Sequence, residues 1–127
     1  MAIVVFERSN YSGYRVLDRG ALLSELERRG VSPAFDRIVA EHVTYRYPDP
    51  DPAPDRASVL VVAYVRGDGV DALVVEVDGT TVRPDERIFH ITLSLDEDVA
   101  PKAANDAVAT RSWQHLDEPV GVPVEPF

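Results

Sequence analysis

Residues 58–77 read SVLVVAYVRGDGVDALVVEV. Two runs rich in branched residues, Ser58 to Arg66 and Asp71 to Val77, flank Gly67-Asp68-Gly69 and predict a β-hairpin. Valine fills a pleated surface well, and glycine with aspartate tolerates a tight reversal. Working outward, Asp78-Gly79 marks the next turn and Arg87 to Leu95 a further strand. Upstream, Ile3 to Phe6 and Tyr11 to Leu17 read as strands joined by a turn at Ser9-Asn10. About Arg37 to Tyr47 reads as another strand. Two helices interrupt the series. The first is capped by Asp18, shows one apolar face of Leu22, Leu23 and Leu26, carries a Glu25–Arg29 pair outside, and stops at Gly30. The second opens at Pro101 and runs to about Ala109. The pattern predicts one α+β domain over residues 1–127, its mostly antiparallel strands forming a cleft and its two helices packed on the outer side.

Two stretches resist regular structure. PDPDPAPD (48–55) alternates proline with aspartate or alanine and predicts a stiff, solvated acidic loop over about 48–57. EPVGVPVEPF (118–127) holds three prolines and predicts an irregular tail over about 117–127.

Composition narrows the function classes. The chain has 127 residues, 45% hydrophobic and 28% charged, which is enough to bury a core without metal or disulfide staples. A net charge of −9 repels a phosphate backbone, so sequence-independent coating of nucleic acid is not expected, whereas a locally gripped phosphate is allowed. Cysteine is absent, which removes thiol chemistry and zinc–thiolate sites. MAIVVFERSN lacks a basic leader and no apolar stretch approaches a membrane span, so a cytoplasmic location without membrane contact is expected.

Chemistry concentrates in two triplets, His42-Val43-Thr44 and His90-Ile91-Thr92. In a strand, alternate side chains share a face, so each triplet offers an imidazole beside a hydroxyl while Val43 or Ile91 anchors the opposite face. A single such triplet is also what a solvent-facing strand looks like. Two brought together would set four convergent groups around one phosphate. One neutral histidine would take a proton from the attacking water, the other would donate to the leaving oxygen, and the threonines would hold the non-bridging oxygens. Arg46 follows Thr44 by two and is a candidate for steering anions. Tyr47 is a candidate for stacking on a base, and Ser94 extends the second site face by the same alternation. Lys102, the one lysine, stands where a helix opens and is a candidate for holding phosphate. His115 lacks the triplet and reads as a surface or packing histidine, and Tyr45 and Trp113 read as core. The histidines show no short-range ligand spacing, so no metal or other cofactor is expected.

Twin His-x-Thr triplets on strands resemble the two-histidine phosphoesterase superfamily. The stretch HITLSLDEDVAPKAAND (90–106) is similar to the cyclic phosphodiesterase domain at the C-terminus of plant-type tRNA ligases, as is YSGYRVLDRGALLSEL (11–26) at the helix entry. The resemblance implies a compact bilobal fold with one triplet per lobe. It implies His42 and His90 as the catalytic pair, Thr44 and Thr92 as phosphate holders, and metal-independent opening of an RNA or nucleoside 2′,3′-cyclic phosphate to a 2′-phosphate. The partner would be a nucleotide or an RNA 3′-end carrying the cyclic phosphate. The sequence departs from the family at Tyr45-Arg46-Tyr47-Pro48 and in the short interval between triplets, which leaves open cyclic dinucleotides, cyclic oligonucleotide signals and an ADP-ribose cyclic phosphate. Two rival readings also stand: a non-catalytic module that binds a nucleotide or RNA end, and a protein-interaction domain working through the acidic loop.

Overall fold

A computed structural model describes residues 11–47, 53–55 and 57–127. The strand expected over Ile3 to Phe6, the Ser9-Asn10 turn and most of the acidic proline stretch lie outside the described residues. The elements run β1 (Ser12–Val16), α1 (Arg19–Arg28), β2 (Arg37–Ile38), β3 (His42–Arg46), β4 (Val59–Gly67), β5 (Val70–Val77), β6 (His90–Leu95), α2 (Ala103–Thr110), β7 (Gln114–Gly121) and β8 (Val124–Pro126). All strands join one sheet in the order β7-β4-β5-β6-β3-β1-β8, with β2 also on β6. Every pairing among the described residues is antiparallel.

The hairpin at the centre follows from its sequence. β4 pairs with β5 down to Gly67 opposite Val70, so Asp68-Gly69 alone makes the turn. β5 is buried on both faces, which is why it reads as a near-continuous apolar run. Leu73, Val75 and Val77 face a core that includes Leu22 and Leu26 of α1. Val70, Ala72 and Val74 face a second core closed by Ala104, Ala107 and Val108 of α2, with Trp113 packed against it. The helices therefore do not share one outer side. They pack on opposite faces of β5, because its residues alternate and both sets are apolar. The α1 signals behave as read: Asp18 accepts from Ala21 N at 3.0 Å, and Gly30 takes the left-handed φ of +79° that ends the helix.

The residues expected to form an irregular tail form strands. Among the described residues β7 pairs only with β4 and β8 only with β1, so both are edges of the described sheet. Edge positions tolerate proline because no neighbour needs its missing N–H. Only Val122 and Pro123 separate these two edges, and they are held by Val122 N donating to Val59 O (2.9 Å) and Leu17 N donating to Pro123 O (3.1 Å). Two residues span only a few ångströms. The sheet must therefore curl until its edges meet.

Three other boundaries move. The strand expected over 37–47 breaks into β2 and β3 at Ala40, a buried residue with φ +47°, while Val39 N and Ala40 N still bond to Leu93 O and Thr92 O. β6 begins at His90, since Arg87 belongs to a turn in a small hairpin bridged at Val82 and Ile88. α2 begins at Ala103, after a first turn in which Ala104 N bonds to Pro101 O. No helix among the described residues is long and apolar enough to cross a membrane.

Candidate functional site

β3 and β6 lie side by side, and Val43 stands directly opposite Ile91. Both are fully buried in the core shared with α1. Continuing that antiparallel register sets His42 across from Thr92 and Thr44 across from His90. The two triplets are thus related by a local two-fold axis through the Val43–Ile91 pair. The histidines fall on its diagonal, at the roughly 7–8 Å that separates diagonal neighbours in an antiparallel pair. All four polar side chains turn away from the α1 core, onto the face that α2 borders, where they line one cavity of about 420 Å³.

Close backbone approach fixes β3. A Cβ on Gly13 would stand 2.1 Å from the carbonyl oxygen of Val43, so only glycine lets β1 lie against β3 here. The register between these strands slips by one residue, with Ser12 opposite Arg46 but Gly13 opposite Thr44. That bulge ends the alternation that links Thr44 to Arg46. Tyr47 consequently lines the cleft, and Arg46 is not part of its wall. Ser94 also lies elsewhere. It is fully buried, its hydroxyl donates to the Asp71 carboxylate, and it accepts from Phe35 N at 3.2 Å. Asp71 further accepts from Ala34 N at 2.9 Å, so the Ser94–Asp71 pair ties the segment after α1 onto the sheet. Lys102 does line the cleft, reaching it from the start of α2.

Four polar residues complete the cavity that the sequence did not single out: Tyr11, Arg83, Arg87 and Asn105. Arg83 is buried, with 4% exposure. Its turn is closed by Arg83 N donating to Arg87 O at 2.7 Å, and its guanidinium pairs with Asp85. Burial works to raise the Asp85 pKa, but the Arg83 guanidinium and the Arg87 and Tyr47 N–H groups outweigh it and hold the carboxyl below its ordinary range. Asp85 thereby pins the hairpin to the end of β3. Nothing in the sequence distinguishes Arg83 from the other arginines. Asn105 and Tyr11 lay inside the quoted 90–106 and 11–26 stretches without being singled out, and Tyr11 is half-buried.

The two imidazoles differ. His90 Nδ1 lies 2.9 Å from the carbonyl of Ile88, which can only accept, so Nδ1 carries the proton and Nε2 keeps its lone pair. Burial, with the nearby charges of Arg83 and His42, pushes its pKa down to about 4 against the opposing pull of that hydrogen bond. Burial also lowers the His42 pKa, opposed by Glu41. The His42 ring sits among aromatics, 5.6 Å from Tyr11 and 5.9 Å from Phe127 between ring centroids. A second cavity, of about 520 Å³, opens on the other side of His42 between Arg15, Arg19 and Phe127. Neither threonine of the triplets nor His90 lines it, so the four triplet side chains meet only in the first.

His115 is exposed on β7 and packs 6.1 Å from Trp113, away from both triplets. Among the described residues, no three His, Asp or Glu side chains are grouped to hold a metal ion. No family model, no curated protein and no solved structure matches this chain.

Proposed function

We propose that the protein is a metal-independent phosphoesterase of the two-histidine type that hydrolyses a cyclic phosphodiester, an RNA or nucleoside 2′,3′-cyclic phosphate, to the 2′-phosphate. The observation that carries the reading is the pairing of Val43 with Ile91, which turns two His-x-Thr triplets into one symmetric set of two imidazoles and two hydroxyls. A phosphate seated on the two-fold axis has an imidazole on each side, as in-line displacement requires.

On this reading His90 is the base and His42 the acid. His90, neutral at pH 7 with Nε2 unprotonated, takes a proton from water as the water oxygen bonds to phosphorus. The bond from phosphorus to O3′ breaks, and protonated His42 gives its proton to that oxygen, leaving a 2′-phosphate and a 3′-hydroxyl. Thr44 and Thr92 donate to the non-bridging oxygens, where charge builds in the transition state. The negative phosphate itself raises the His42 pKa on binding, which restores the acid that burial disfavours in the empty cleft. The fold expected for such an enzyme has one triplet in each of two lobes, and in this reading the β1-β3 and β4-β5-β6 portions of the curled sheet serve as those lobes.

The test is turnover of an oligoribonucleotide ending in a 2′,3′-cyclic phosphate, in EDTA, with end-group analysis by mass spectrometry. Conversion to a 2′-phosphate that His42→Ala and His90→Ala each slow by about 10²–10⁴-fold is the expected result. Tight binding without turnover would instead favour the non-catalytic end-binding module.

A further inference from the structure

The cleft holds more positive charge than one cyclic phosphodiester needs. Among the described residues its wall includes Arg83, Arg87 and Lys102 and no carboxylate, in a protein whose net charge is −9. Arg83 is neutralised by Asp85, whereas Arg87 and Lys102 enter no ion pair among the described residues. Lys102 reaches the cleft from the start of α2 and Arg87 from the turn before β6, and the aromatic residues Tyr11 and Tyr47 share the same wall.

Unsatisfied buried atoms belong to the same wall. Three buried side-chain polar atoms among the described residues lack a hydrogen-bond partner: Ser12 Oγ, Arg83 Nε and Asn105 Oδ1. Two of the three, Arg83 Nε and Asn105 Oδ1, belong to residues of this cleft wall. Leaving a buried polar atom unpaired costs about 1–3 kcal/mol, so these two side chains gain if a small shift brings them to a ligand oxygen or hydroxyl. Arg83 Nε offers a donor suited to an anionic oxygen. The Asn105 amide suits a hydroxyl, such as that of a ribose.

Resting on the function proposed above, we infer that the cleft binds a second phosphate of the same ligand, over Arg87 and Lys102 with Arg83 behind them. The preferred substrate is then a nucleotide whose 2′,3′-cyclic phosphate is accompanied by a phosphate at the 5′ position. A bare nucleoside cyclic phosphate leaves Arg87 and Lys102 without an anion to hold.

Three substrates test this with the full chain in EDTA: adenosine 2′,3′-cyclic phosphate, its 5′-phosphorylated form, and the dinucleotide ApA ending in the same cyclic phosphate. Both compounds with a 5′-linked phosphate are expected to exceed the first in kcat/KM by about tenfold or more, a difference of about 1.4 kcal/mol. The mononucleotide leading would mark a free nucleotide as the source, and the dinucleotide leading would mark an RNA end. Arg87→Ser and Lys102→Gln should each shrink the preference. Equal kcat/KM for all three, or a preference that both substitutions leave intact, overturns the inference while leaving the phosphoesterase reading standing. If none is turned over, that reading falls, and calorimetry still decides the second site. Adenosine 3′,5′-bisphosphate should then bind about tenfold tighter than adenosine 3′-monophosphate, and equal affinity overturns the inference.

Discussion

Two chemically identical side chains are made unequal by one hydrogen bond and by unequal burial. His90 donates through Nδ1 to Ile88 and has a pKa near 4, whereas His42 is lowered by burial with Glu41 opposing. If His90 is the base and His42 the acid, as proposed, the base must be neutral in the free protein, which holds above about pH 4, and the acid protonated, which holds below the lowered His42 pKa. The kcat/KM profile is therefore expected to be a bell lying on the acid side of 6.5, the ordinary imidazole value, and a maximum above pH 7 would contradict the assignment. Stability carries a related signature. The unfolded chain binds a proton at His90 near 6.5 and the fold only near 4, so the neutral form favours folding. That contribution is complete above 6.5 and is lost as the pH falls toward 4, amounting to about 3 kcal/mol at most. Urea unfolding between pH 4 and 7 should show the decline, and His90→Asn should flatten it. Ser94 behaves differently from its neighbours on β6. Ser94→Ala leaves a buried Asp71 oxygen without its donor and should lower the unfolding free energy by about 1–3 kcal/mol, with turnover close to normal once folded. A large loss of kcat without a loss of stability would return Ser94 to the site.

Strands explain which parts of the site were legible from the chain. Period-two alternation was enough to place His42 with Thr44 and His90 with Thr92, because each triplet lies within one unbroken strand. Alternation failed one step further along each. After Thr44 a bulge against β1 re-aims the chain, which exchanges Arg46 for Tyr47 at the cleft. Near Ser94 the ladder with β5 slips between Asp71 and Ala72, and the hydroxyl is buried against Asp71. Arg83 and Asn105 reach the cleft from a turn and a helix that no periodicity links to the triplets. The proline-rich C-terminal segment hid two strands, since proline argues against a central strand and is silent about an edge. Gly13 is the point at which an element can be broken by one atom. Gly13→Ala would drive a Cβ to 2.1 Å from the backbone of β3, where no side chain can yield. Thermal or urea unfolding should register a loss of about 1–3 kcal/mol or more, and turnover should fall with it. Full stability in that variant would show that β1 and β3 are not packed as described.

At the scale of the whole molecule, an acidic body surrounds a cleft whose wall carries three cations. These charges act over different distances. The net −9 repels any long polyanion, and salt screens that repulsion across about a Debye length. The contacts proposed for Arg87 and Lys102 with a substrate phosphate would be attractive and weakened by the same salt. Raising ionic strength from about 50 to 300 mM should therefore lower kcat/KM for a short 5′-phosphorylated substrate and lower it less, or raise it, for a long RNA with the same end. Identical slopes for the two would mean that the body's charge plays no part. The curled sheet makes the cleft possible by bringing β3 and β6 together in a register that faces both triplets the same way. That register is the central claim about function, and one measurement addresses it directly. The purified protein, in EDTA, is incubated with an RNA ending in a 2′,3′-cyclic phosphate beside His42→Ala and His90→Ala, with product ends identified by mass. Conversion to a 2′-phosphate that each substitution slows by about 10²–10⁴-fold is the predicted result. Turnover that either substitution leaves near the parent rate, or none by the parent protein, would contradict it.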